Sequence, residues 1–208
     1  MKRIIWAALS IVLFGSNAYT QETRKQEALF NKALVVYFSA TGTTAGVAKK
    51  IAQVTGGELY EIVPQTPYTS DDLDWRNKQS RSSLEMGNPK SRPAIKGKKE
   101  HLSDYDVIFI GYPIWWNVAP TIVRTFIESH PLKGKTVIPF ATSGSSGIEN
   151  SVAQLKKDYP EIQWRDGRLL NGATEQTIRE WVEKELKKMI YIMIAIDEKN
   201  SDKCHRAD

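Results

Sequence analysis

The chain of 208 residues holds one cysteine, Cys204, near its C-terminal end. A lone thiol excludes a disulfide framework, a cysteine-ligated zinc site and a CxxC redox pair. Histidine is nearly as scarce. His101, His130 and His205 stand apart from one another and from any serine, cysteine or carboxylate array, so neither a metal centre nor a nucleophilic triad is predicted. The GxxxxGK[ST] and GxGxxG strings are both missing, which excludes a triphosphate loop and a dinucleotide fingerprint. The string Gly144-Ser145-Ser146-Gly147 is too short for a nucleophile elbow.

Blocks of one charge are missing as well. Lys and Arg number 29 against 24 Asp and Glu, a formal net charge of +5 with pI near 9.2, but the basic residues are spread among the acidic ones. There is no arginine-rich helix and no RNA-binding aromatic signature, so a mixed, solvated surface is expected rather than a nucleic-acid partner. A membrane-length apolar run is also lacking. The longest near the N-terminus, residues 4–14, follows Lys2 and Arg3 and precedes Ser16-Asn17-Ala18, the form of a secretory signal. The absence of a following cysteine argues against a lipoprotein, and Lys2-Arg3 is not a twin-arginine pair. Residues 1–18 are therefore expected to direct export to the periplasm or beyond, the protein staying cytoplasmic if the signal is not used. Cleavage removes two positive charges and no acid, taking +5 to +3.

What is present is enough for one core, with 41% hydrophobic and 10% aromatic residues. Residues 19–32 read as a polar spacer, 33–188 as the domain and 189–208 as a tail. The runs 33–38 and 106–110 are nearly continuous apolar segments, the pattern of strands covered on both faces, 58–63 and 135–140 supply two more strands, and 162–164 with 168–170 the last. Helical periods predict helices over 45–54, 119–129, 149–157 and 174–188. The order implies a doubly wound, five-stranded parallel α/β sheet with helices on both faces. Residues 64–103 form a long polar excursion, with a weak helical period within 70–86. Residues 189–196 are compatible with an extension of the last helix, an edge strand or no fixed structure.

Three strand-end loops carry the chemistry. After the first strand, Ser39, Thr41, Thr43 and Thr44 offer hydroxyl donors, and Gly42 lets the backbone approach a ligand at a helix N-terminus. With no lysine in place, a phosphomonoester held by neutral donors is expected. The second loop, Gly111-Tyr112-Pro113-Ile114-Trp115-Trp116-Asn117-Val118, brings two adjacent tryptophans to the same end of the sheet, where one is expected to cover a flat ring and the other to cap the core. The third, Ala141-Thr142-Ser143-Gly144-Ser145-Ser146-Gly147, offers small residues and backbone donors around a ligand edge.

Together, SATGTT after LVVYF, GYPIWW after DVIFI and TSGSSG after TVIPF resemble the flavodoxin family. The likeness is strongest to a bacterial branch with a YPxWW loop and an SRP string such as Ser91-Arg92-Pro93, and it covers roughly residues 34–186. The resemblance implies a flavodoxin-like fold and bound FMN. Ser39, Thr41, Gly42, Thr43 and Thr44 would hold its phosphate. Tyr112, Pro113, Ile114, Trp115, Trp116 and Asn117 would flank the ring on one side, and Thr142, Ser143, Gly144 and Gly147 on the other. It implies an electron-transfer protein with a redox partner, rather than an enzyme with its own catalytic residues. An NAD(P)H-dependent FMN or quinone reductase on the same fold, or a flavin-free phospholigand-binding module, are the alternatives. Two departures stand out. Electron-carrier flavodoxins are acidic, whereas this chain is basic, so an acidic partner is expected. The third loop also lacks an aromatic residue, so the ring is expected to be stacked on one side only.

Overall fold

A computed structural model describes residues 33–204, with side chains through 192. The expected signal at 1–18 and spacer at 19–32 lie outside the described residues. The elements run β1 (Ala33–Tyr37), α1 (Thr43–Thr55), β2 (Glu58–Glu61), β3 (Val63–Pro64), α2 (Arg81–Gly87), β4 (Ile95–Lys96), β5 (Val107–Pro113), α3 (Thr121–Ser129), β6 (Thr136–Thr142), α4 (Glu149–Asp158), β7 (Gln163–Trp164), β8 (Arg168–Leu169) and α5 (Glu175–Cys204). The main sheet has the order β2-β1-β5-β6-β7 with β8 also on β6, and every pairing is parallel. It is a flavodoxin-like α/β sheet of five strand positions.

Alternation along each doubly buried strand builds two cores. Ala33, Val35 and Tyr37 pack with Val47, Ile51, Trp181 and Leu186 from α1 and α5. Leu34, Val36 and Phe38 point the other way, into a core with Ile122, Phe126 and Leu155 from α3 and α4. Each fully buried aliphatic side chain contributes about 1.5–3 kcal/mol, so the strands are fixed in register by both faces at once. The chain winds from β1 through α1 to β2 on one side and crosses to β5 on the other. The loops after β1 and β5 therefore diverge, leaving a crevice at the carboxyl end of the sheet.

Several bounds differ from expectation, each for a physical reason. Gly111 and Pro113 read as breakers, yet β5 continues through both. Gly111 is needed there because the Phe140 ring lies against it, only 2.0 Å from where a Cβ would stand. The fifth position is split between β7 and β8 opposite Pro139. The carbonyls of Lys135, Val137 and Ala141 accept from that edge, so Pro139, at the same parity, faces it with no N–H to donate. The expected strand 58–63 ends at Glu61, and Val63–Pro64 instead pairs antiparallel with Ile95–Lys96. The last helix is much longer than 174–188 and takes in the start of the tail, running to Cys204.

Candidate functional site

The first wall follows β1. Gly42 occupies the left-handed region at φ 87° and caps α1, which has no side-chain cap and no acid in its first turn. That leaves the positive end of a 13-residue helix facing the crevice. Thr41 and Thr43 hydroxyls lie 3.3 Å apart at the surface of this turn. The Ser39 hydroxyl oxygen is shielded from solvent and has no hydrogen-bond partner. A donor desolvated without a partner costs about 1–3 kcal/mol, which a ligand oxygen would recover. Thr44 is different: its hydroxyl is buried and meets that of Thr142 at 2.9 Å, stapling the first wall to the third from beneath.

The second wall is a hairpin turn at the end of β5. Trp115 and Val118 exchange both backbone hydrogen bonds at 3.0 Å, and the two residues between them, Trp116 and Asn117, have φ of 47° and 65°. Positive φ at both central positions is the signature of a type I′ turn. Asparagine tolerates this geometry, whereas tryptophan adopts it at a cost. The Asn117 carbonyl accepts from Asn150 Nδ2 at 2.9 Å, and Ile114 N–H donates to Thr142 O at 2.8 Å, so both ends of the loop are held. The two tryptophans separate. Trp115 packs edge-on against Phe38 and Tyr68 at centroid distances of 5.6 and 5.5 Å, joining the core, while Trp116 is 49% exposed.

The third wall is held by a residue that sequence reasoning missed. Asn171 accepts from Ser143 N–H at 2.8 Å and returns its own amide proton to Ser143 O, pairing like a backbone strand. Its signal was available: Asn171-Gly172 is a turn dipeptide directly after β8, and Gly172 has φ 59°. Ser143 Oγ also accepts the N–H groups of Ser145 and Ser146, folding the loop into a compact turn.

These walls enclose two abutting cavities. One, of about 470 Å³, is lined by Thr41, Thr43, Pro113, Ile114, Trp115 and Thr142, together with Ser143, Gly144, Asn171 and Gly172. The other, of about 330 Å³, shares Ile114, Trp115, Ser143 and Gly144 and adds Trp116, Asn117, Ser145, Ser146 and Trp75. Each falls within the range of small-molecule sites. No ionisable side chain lines either one, and no cluster of metal-binding side chains exists among the described residues. Of the residues singled out from sequence, Tyr112 lies away from these cavities. It is fully buried within β5 with its hydroxyl 2.6 Å from that of Ser151, and burial pushes its pKa up. Ser39, Gly42, Thr44 and Gly147 are outside both linings too, and the Glu149 carboxylate is folded against Gly147. Trp75, from the excursion, was not foreseen at all.

The comparisons with known proteins agree with this architecture. The family model described as flavodoxin matches residues 32–185. The chain belongs to the flavodoxin family. Among solved structures, this flavodoxin-family chain is 63% identical to a protein of Bacteroides eggerthii assigned as a flavoprotein, with a TM-score of 0.71, covering 73% of this chain and 96% of that one. A similarly assigned protein of Bacteroides uniformis is 57% identical, with a TM-score of 0.72, over 74% and 98%. A flavoprotein of Lactobacillus acidophilus, solved in complex with FMN, is 22% identical with a TM-score of 0.54, over 67% and 93%, a likeness of fold alone. No curated protein matches the chain.

Proposed function

We propose that this protein binds FMN and passes electrons between redox partners, and that it does so after export. The observation that carries the reading is the pairing of the two cavities. One end offers neutral donors at an open helix N-terminus, and the other is walled by exposed tryptophan. The residues present fit the group. Ser39 Oγ is a buried donor in want of an acceptor, and Gly42 leaves open space above its Cα beside the Thr41 and Thr43 hydroxyls. A phosphate in this cradle would be held without a counter-charge from lysine or arginine. Trp116, Ile114 and Asn117 would border the ring, and Ser143 and Gly144 its opposite edge. Bound FMN supplies the redox chemistry, taking up and releasing electrons.

No ionisable side chain lines either cavity, so a reaction that needs a protein acid or base is disfavoured there, whereas hydride transfer to a flavin needs none. A basic chain calls for an acidic partner. Residues 1–18 have the form of an export signal, and no helix among the described residues is long and apolar enough to cross a membrane. Titrating the apoprotein with FMN while following flavin fluorescence tests the reading. Saturable quenching at one equivalent and a yellow complex are expected; free fluorescence at every ratio would end it. Stopped-flow mixing of the complex with NADPH alone should give only slow reduction, and rapid reduction would favour the reductase alternative.

A further inference from the structure

Trp75 is the most exposed large hydrophobic side chain among the described residues, at 71%, and it lines the smaller cavity together with Trp116, Ser143 and Gly144. A single exposed indole is ordinary on a protein surface; what distinguishes this one is that it lines a cavity. We propose that Trp75 is the second aromatic wall of the ring site, closing off the ring face that the loop 141–147, which has no aromatic residue, leaves bare. The inference rests on the FMN reading and assigns a role to the long excursion that the family likeness did not.

The excursion is built to present this side chain. Trp75 sits in a turn closed by Asn77 N–H to Asp74 O at 3.0 Å, with Arg76 held to the Asp74 carboxylate at 3.1 Å. That turn is tied to α2 by Ser82 N–H to Asp72 O at 2.9 Å and by Ser83 Oγ to Asn77 O at 2.7 Å. Helix α2 is in turn fastened to the second wall. Arg81 lies 3.9 Å over the Tyr68 ring and pairs with Glu85 at 2.7 Å, while the Tyr68 hydroxyl donates to Glu85 at 2.6 Å. Tyr68 itself packs edge-on against Trp115 and Phe38. A continuous chain of packed and hydrogen-bonded groups thus runs from Trp115, in the core, out to Trp75. A loose lid would need none of it.

The test compares FMN with riboflavin, which has the same ring and no phosphate. Trp75→Ala removes an exposed side chain, so the thermal midpoint of the apoprotein should stay within a degree or two of wild type. It should weaken both flavins by about the same factor, near tenfold, as expected for loss of one stacked aromatic partner. Iodide should then quench the residual fluorescence of bound flavin more readily. Trp75→Phe should keep FMN affinity within about threefold. If wild type binds FMN and Trp75→Ala binds it equally well with unchanged iodide access, the role of Trp75 is overturned while the FMN reading stands. If wild type binds neither flavin, the FMN reading fails and this inference falls with it.

Discussion

Ser39 carries two opposed effects on one atom. Its hydroxyl is desolvated without a partner, so the ligand-free protein holds a group that favours unfolding by about 1–3 kcal/mol. In the proposed FMN complex the same atom would donate to a phosphate oxygen at the end of α1. Ser39→Ala should therefore stabilise the apoprotein by about 1 kcal/mol in urea unfolding and weaken FMN binding by about tenfold, leaving riboflavin affinity unchanged. A variant less stable than wild type, with FMN affinity intact, would show that this hydroxyl faces elsewhere. The sequence singles out Ser39 because small hydroxyls between a buried strand and a helix N-terminus can donate to an anion there. Tyr112 was misleading for the complementary reason. An aromatic residue in a strand-end loop looks accessible, but β5 runs on past Gly111, where the Phe140 ring lies against the glycine, and takes Tyr112 inside.

At the scale of elements, the excursion and the strap that returns from it depend on long-range contacts that no local pattern encodes. Arg92 of the SRP string forms a two-pronged ion pair with Glu128 of α3, both bonds at 2.7 Å, fastening the end of the excursion to the body. A few residues on, the Lys99 backbone N–H donates to His130 Nε2 at 3.0 Å, while His130 Nδ1 lies 2.8 Å from the Phe126 carbonyl and the ring stacks on Phe126 at 4.1 Å. This arrangement requires the neutral imidazole, with its proton on Nδ1. Burial is the main influence, and it holds the pKa below the usual histidine value; the Lys98 charge adds to this, while the Phe126 carbonyl and Glu100 oppose it. The sign follows from linkage. The unfolded chain takes up a proton near pH 6.5, at a pH where the folded protein still refuses it, so stability is full above that pH and falls as pH drops through the interval. Wild type should lose stability between pH 7.5 and 5.5 with a slope up to about 1.4 kcal/mol per pH unit more than that of His130→Gln. Parallel losses in the two proteins would assign the acid sensitivity to other groups. Sequence reasoning set His130 apart from catalysis and metal binding. Its partner, thirty-one residues upstream, was invisible because a strap has no period of its own.

At the scale of the whole molecule, doubly wound topology gathers every strand-end loop at one edge, which is why three loops read separately from sequence meet at one site. The doubly wound parallel sheet was legible because buried parallel strands are written as apolar runs and their crossovers are right-handed. The fourth contributor, Trp75, was not, because it reaches that edge from the polar excursion rather than from a strand end. Net charge also acts at this scale. In the proposed carrier role, a charge of +5, or +3 after loss of residues 1–18, would surround the flavin with a positive field that reaches about 30 Å at 0.01 M salt and about 3 Å at 1 M. Reduced, flavin-loaded protein should therefore pass electrons faster to an anionic acceptor such as ferricyanide at low salt than at high salt. A cationic cobalt complex should show the reverse trend, the two converging as screening becomes complete. The local surface offers a competing outcome, since Asp71, Asp72 and Asp74 flank Trp75. Faster reaction of the cationic acceptor at low salt would mean that this acidic stretch governs docking, and the partner's binding face would then be basic despite the charge of the chain.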